Sequence, residues 1–160
     1  MNTVIQQRAK IRNMKVLLIG NNPIDLSAIY EILNSIKKIR FIPEIAFDKK
    51  DLFSKARNIK PECILIDDNM DQDELRMMLK KFRNDNKTKN IPIAIIKNNN
   101  SGHSLLEGVE EFILKQNINS ENISRCIANS LRFHKTQEYL RNTYRKRKVQ
   151  LLKMKKKAGL

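Results

Sequence analysis

Apolar residues in this chain fall into short unbroken runs that alternate with stripes at helical spacing. Residues 15–19 predict a first strand, and Asn22-Pro23 a helix start, with a capping side chain and then proline at the first helical position. Ile24, Ala28, Ile29, Ile32 and Leu33 then repeat as one helix face. Residues 41–46 predict a second strand, and Pro43 inside it argues for a sheet edge, because proline cannot donate to a ladder. A short helix over 48–58 buries Leu52, Phe53 and Ala56. Residues 62–66 make a third strand, and 71–82 a helix packing Leu75, Met78, Leu79 and Phe82. Residues 91–96 make a fourth strand with Pro92 at its tolerated start. After the polar loop 98–102 comes a short helix around Leu105 and Leu106, closed by Gly108. Residues 111–114 are the fifth strand, and Asn119 caps a last helix carrying Ile123, Cys126, Ile127 and Leu131.

Five strands alternating with five helices imply a parallel sheet covered on both faces. With strand two at an edge, the expected architecture is an α/β flavodoxin-like (βα)5 doubly wound sheet of order 2-1-3-4-5. Its crevice opens between the ends of strands one and three. The chain divides into an N-terminal extension (1–13), the α/β domain (14–131) and a basic helical extension (132–160).

The last helix is predicted to outrun the domain. No Pro or Gly interrupts residues 117–158, so it reaches about 35–40 residues, or about 55 Å. Phe133, Leu140, Tyr144 and Leu151 recur at steps of seven, four and seven, a thin coiled-coil-like seam that Gln137 and Arg147 interrupt. Two outcomes stay open beyond about Tyr144: a helix that docks on a partner or a second copy, or a tail frayed by like-charge repulsion.

Charge sharpens that choice. Residues 131–160 hold eleven Lys/Arg against Glu138 alone, a net +10 of the chain's +15. Arg141, Arg145, Lys146, Arg147 and Lys148 form a basic interaction helix attractive to nucleic acid or anionic surfaces. The competing explanation is a solvated face in a chain rich in Lys, Asn and Ile. Cys63 and Cys126 sit among apolar neighbours without CxxC or Cys/His spacing, so reduced core thiols are expected, with no metal or redox centre. No apolar run approaches the ~18 residues of a membrane span, and residues 1–13 lack the apolar core of a secretory signal. A cytoplasmic protein is the expectation.

Few residue types are placed for chemistry. His103 and His134 have no Ser or Cys partner at a strand end, and Gly20-Asn21-Asn22-Pro23 is too short for a phosphate cradle. Strand three, however, runs into Asp67-Asp68, strand four into Lys97 and strand five into Lys115. A strand-end carboxylate beside a lysine is either a structural ion pair or a site that builds charge.

These residues resemble the receiver domain of bacterial two-component response regulators over roughly residues 14–131. Pro61-Glu62-Cys63-Ile64-Leu65-Ile66-Asp67-Asp68-Asn69-Met70 is similar to the family's phosphoacceptor strand. The resemblance implies Asp67 at the phosphoacceptor position and Asn69 where a backbone carbonyl meets magnesium. It also puts Lys115 at the family lysine and Phe112 at the switch aromatic. Three positions depart from the pattern: Gly20 and Asn21 replace the magnesium-holding acidic pair, Lys97 replaces a hydroxyl residue, and Gln116 replaces a proline. Magnesium is bound through carboxylate oxygens, and phosphoryl transfer needs its charge, so phosphorylation is expected to be severely impaired. Lys97 or Lys115 is instead expected within ion-pairing distance of Asp67.

The segment from Ser130 to Asn142 resembles the helix leading from a receiver into a GGDEF diguanylate cyclase domain, most like the degenerate second receiver of PleD-type regulators. No GGDEF domain follows within these 160 residues, so no cyclase activity is expected of them. The resemblance thus implies a non-enzymatic, degenerate receiver acting as an adaptor or dimerisation module, without cofactor. Its expected interaction surface is the helix around Leu105 and Leu106, the fifth strand, the last helix and the basic extension. Partners would be a second copy, a histidine kinase or a cyclase-type signalling protein. Two alternatives remain: a functional single-domain response regulator phosphorylated on Asp67 with magnesium, or a nucleic-acid-binding protein using the basic helix.

Overall fold

The computed structural model describes residues 11–98 and 106–159. Five strands and four helices follow in order: β1 (Asn13–Ile19), α1 (Pro23–Ser35), β2 (Arg40–Ala46), α2 (Lys49–Ile59), β3 (Cys63–Asp67), α3 (Gln72–Asn84), β4 (Ile93–Lys97), β5 (Glu111–Leu114) and α4 (Ser120–Lys157). A short 3-10 turn, Lys115–Asn117, links the last two. All strand pairs are parallel in the order β2-β1-β3-β4-β5, the expected flavodoxin-like arrangement. Pro43 lies on β2, which among the described strands pairs with β1 alone, the edge position where a proline is tolerated. The predicted helix around Leu105 and Leu106 and the loop histidine His103 involve residues outside those described. Gly108 itself makes a turn at φ +88°.

Both faces of the sheet are apolar, which is why its central strands read as continuous runs rather than alternating ones. Val16, Leu18, Cys63, Leu65, Ala94 and Ile96 point to one face and pack under α1 and α4. Leu17, Ile19, Ile64, Ile66, Ile93 and Ile95 point to the other and meet α2 and α3. Local chemistry sets the helix starts. Asn22 accepts from the N–H groups of Ile24 and Asp25 ahead of Pro23, Asp48 caps α2, and Asn119 accepts from Asn122 to open α4.

Helix α4 spans 38 residues, about 57 Å at 1.5 Å per residue. It crosses position 131, where the sequence divides domain from extension, without a break. Ile123, Cys126, Ile127 and Ser130 bury its first turns on the sheet. At the rim a polar cluster ties it down: Glu110 accepts two bonds from Arg83 at 2.8 and 2.9 Å and one from Ile93 N–H at 2.6 Å, and its Oε1 lies 3.3 Å from His134 Nδ1. Contrary to fraying beyond Tyr144, the helix continues to Lys157. Leu, Lys, Arg, Gln and Met dominate that stretch and are strong helix formers, and Lys155, Lys156 and Lys157 complement the negative end of the helix dipole. Intrinsic preference therefore carries the helix where packing stops.

Candidate functional site

The site lies at the C-terminal rim of the sheet, where β1, β3 and β4 end. Asp67 is the last residue of β3, one position further into the strand than the sequence pattern predicts, and is 1% exposed. A buried carboxylate must be fully partnered. Its Oδ1 accepts from Asn69 N–H at 3.0 Å and Asn98 Nδ2 at 2.8 Å, and its Oδ2 accepts from Lys115 Nζ at 2.8 Å.

Lys115 is the hub. Its ammonium also donates to Asp25 Oδ2 at 2.7 Å and to Asn98 Oδ1 at 2.8 Å, so all three of its donors are in use. Burial works to lower its pKa, but the bonds to Asp25 and Asp67 outweigh that and hold it above the ordinary lysine value. Asn98 completes the ring, donating from Nδ2 to Asp68 Oδ1 at 2.6 Å and from its backbone N–H to the same atom at 3.0 Å.

Alternation along the strands explains which lysine arrives. Lys115 continues the parity of Ile113, which faces α1 and α4, as does Asp67 after Cys63 and Leu65. Lys97 continues the parity of Ile93 and Ile95 and emerges on the opposite face. Lys97 is thus not beside Asp67; its Nζ stands 4.8 Å from the ring centroid of Phe112, a cation–π contact. Of the two lysines expected near Asp67, Lys115 is therefore the one that pairs with it, and Lys97 gives Phe112, half-buried on the β5 rim, a charged partner.

Gly20 and Asn21 close the other side. Gly20 is buried, and a Cβ there would stand 3.1 Å from Asp67 Cβ and 3.2 Å from Leu26, so the position has no slack for a carboxylate. Asn21 Nδ2 donates to Asn69 C=O at 3.2 Å, the carbonyl that the receiver pattern offers to magnesium. A hexacoordinate magnesium ion wants several oxygens around one point. Here one carbonyl is engaged, Asp67 and Asp25 share one ammonium, Asp68 accepts from Asn98, and no grouping of three His, Cys, Asp or Glu suited to a metal occurs among the described residues. This donor set does not fit the ion.

Sequence reading missed Asp25 and Asn98. Asp25 stands in the first turn of α1, which begins at the rim, so a carboxylate there faces the end of β3. Asn98 was hidden inside a loop that reads as generic polar sequence. Of the basic interaction helix, Arg141 borders a groove of about 900 Å3 shared with Arg76, Arg83 and His134, whereas Arg145, Lys146, Arg147 and Lys148 lie exposed on α4 away from the site.

No protein-family profile matches the sequence, and no curated protein matches it. Solved structures do. The chain is similar to a response regulator receiver modulated diguanylate cyclase from Pelobacter carbinolicus, at 16% identity over 78% of this chain and 97% of that one, with a TM-score of 0.59. It is similar to the receiver domain of the sensor histidine kinase PA1611 from Pseudomonas aeruginosa, which holds magnesium in its active site cleft (17%, 74% and 98%, TM-score 0.61). A third is the chemotaxis response regulator CheY4 of Vibrio cholerae (20%, 74% and 98%, TM-score 0.59). The chain therefore has the CheY-like fold of response-regulator receiver domains. No helix among the described residues is long and apolar enough to cross a membrane.

Proposed function

We propose that this chain is a degenerate receiver domain of two-component or phosphorelay signalling, a non-enzymatic cytoplasmic module that works as an adaptor or dimerisation unit without magnesium. One observation carries the reading: where the receiver pattern has its metal-holding acids stand Gly20, crowded against Asp67 and Leu26, and Asn21, which donates to the Asn69 carbonyl, so Asp67 meets the ammonium of Lys115 alone. Both oxygens of Asp67 already accept hydrogen bonds, three in all, and the residue is shielded from solvent, so an incoming phosphoryl group meets a buried, partly engaged carboxylate and a single cation. Phosphoryl transfer depends on preorganised positive charge at the transferring oxygens, and one shared ammonium is a poor supply. Lys97, turned onto Phe112, offers no hydroxyl to a phosphoryl group and holds the switch-position aromatic by a cation–π contact. Signalling would then run through surfaces, β5 and α4 with its basic extension foremost, toward a second copy, a histidine kinase or a cyclase-type signalling protein.

The nucleic-acid reading draws on the eleven basic residues of 131–160. It has no aromatic interleaving or helix-turn-helix to specify bases, and predicts only salt-sensitive, sequence-independent binding. The test of the main reading is intact-mass measurement after incubation with acetyl phosphate and magnesium. The expected result is an unchanged mass. A substantial phosphoryl adduct that disappears in Asp67→Asn would establish the functional response regulator instead.

A further inference from the structure

Where α4 leaves the sheet it builds one wall of the groove of about 900 Å3, with Gln137 and Arg141 across from Arg76 and Lys80 on α3. Leu79, Leu106 and Val109 give the groove an apolar strip. It lies beside the residues that lead into β4 and β5, at the end of the sheet opposite Asp67. A domain ending at residue 131 would lack that wall.

The charges of the groove divide into a closed set and an open one. Arg83 spends all five N–H groups on the carbonyls of Gly108, Lys89 and Ile91 and on the Glu110 carboxylate. Glu110, 5% exposed, is also engaged by Ile93 N–H and His134, which fills its four acceptor sites. The rim is different. Arg76 meets the exposed carboxylate of Asp73 only at 4.0 Å, and among the described residues no carboxylate lies within ion-pairing distance of Lys80, Lys89 or Arg141. Four cations thus line the groove against Glu107, the other acid beside it. Burial lowers the Arg83 pKa and the charge of Arg141 adds to that, against Glu110. Positive charge is in excess here.

The arrangement selects among anions. Phosphate sites use convergent backbone N–H groups at a helix start or a nest, and neither helix start lines this groove. A nucleic-acid backbone would find the denser cations beyond Arg141 at least as attractive. Carboxylates spaced around an apolar side chain match both the separated cations and the apolar strip between them. We propose that this groove docks an acidic segment of a partner protein, its carboxylates on Arg76, Lys80, Lys89 and Arg141 and an apolar side chain on Leu106 and Val109. The site deepens the adaptor reading above by giving the partner's chemistry, and rests on that reading for the expectation of a protein partner.

The probe is a labelled peptide of glutamates around a central pair of leucines, offered to the full chain at about 0.15 M salt, where charges beyond about 8 Å are screened. Amide signals of Gly108, Val109 and Glu110 should shift on binding, and those of residues 145–157 should stay. Arg76→Glu/Lys80→Glu should weaken binding at least about tenfold, and Arg145→Glu/Lys148→Glu, an equal change of charge, less than about twofold. All four side chains are exposed, so both variants keep the fold, which their amide dispersion verifies. Serines in place of the leucines should cost the peptide at least about fivefold. Equal losses from the two variants would mean a response to overall charge and overturn the site. So would no binding, indifference to the leucines, or displacement of the peptide by pyrophosphate or single-stranded RNA at comparable concentration. A groove that binds no peptide in a chain whose Asp67 resists acetyl phosphate removes the site and leaves the adaptor reading standing. Peptide binding by a chain phosphorylated on Asp67 removes that reading and keeps the site.

Discussion

The two halves of α4 are one helix in two different environments. From Ser120 to about His134 the helix is held by burial: Ile123 is fully buried, Cys126 and Ile127 nearly so, and Glu110 anchors the rim beside His134. From Lys135 onward almost every side chain is half-buried or exposed, and only intrinsic preference and the charge of the final turn support it. The same secondary structure thus has two causes. Packing makes a helix that belongs to a fold; propensity makes one that is free to bind.

The largest effects should therefore be confined to the packed region. Leu65→Ala, in the middle of β3 and fully buried, is expected to cost about 2–5 kcal/mol in urea unfolding. Leu151→Ala at the far end of α4 should change monomer stability by no more than about 0.5 kcal/mol. Equal costs would mean the extension folds as part of the core.

At the rim the comparison is between partners of one ion pair. Lys115→Met strands buried Asp67 without a cation and should cost roughly 2–3 kcal/mol, less than the roughly 3–5 kcal/mol of a fully buried pair because Lys115 keeps some solvent. Asp67→Asn leaves Lys115 its bond to Asp25 and should cost about 1 kcal/mol. Denaturation of the two variants side by side checks the order; a costlier Asp67→Asn would mean that Lys115 is not the shared centre.

Most of the fold was legible because periodicity is set by burial, and here each central strand is buried on both faces. Edge placement of β2 followed from Pro43, and two helix starts from Asn22 and Asn119, whereas Asp48 reads in the sequence as the first residue of its helix and is the cap that precedes it. The site was half legible. Strand ends delivered Asp67 and two lysines, either of which could have paired with it; a one-residue count of parity selects Lys115 and sends Lys97 to the other face of the sheet. Asp25 and Asn98 carry no periodic signal at all, since their positions depend on how a helix start and a loop fold over the rim. The Arg83–Glu110–His134 cluster likewise joins three distant segments that nothing in local sequence relates.

A smaller effect is expected from pH. The Lys115 pKa is raised in the folded state, so its contribution is complete below the unfolded lysine value of about 10.4 and is lost as pH rises through the higher folded value. Stability against pH should show an alkaline decline that Lys115→Met diminishes, with no matching change in Lys153→Met on the extension. Gly20→Asp is a complementary probe. Crowding against Asp67 and Leu26 should lower its melting temperature, and magnesium should recover part of that loss in Gly20→Asp/Asn21→Asp while leaving the natural sequence unmoved.

The central claim is that the ammonium of Lys115 serves Asp67 with no metal beside it. The most direct measurement is the side-chain ammonium resonance of Lys115 in a lysine-labelled sample titrated with magnesium, assigned by its loss in Lys115→Met. A signal protected from exchange and unmoved by millimolar magnesium is the predicted result. Displacement of that signal by magnesium, with Asp67 carboxyl shifts in step, would show a metal site that the lysine only guards, and would contradict the account.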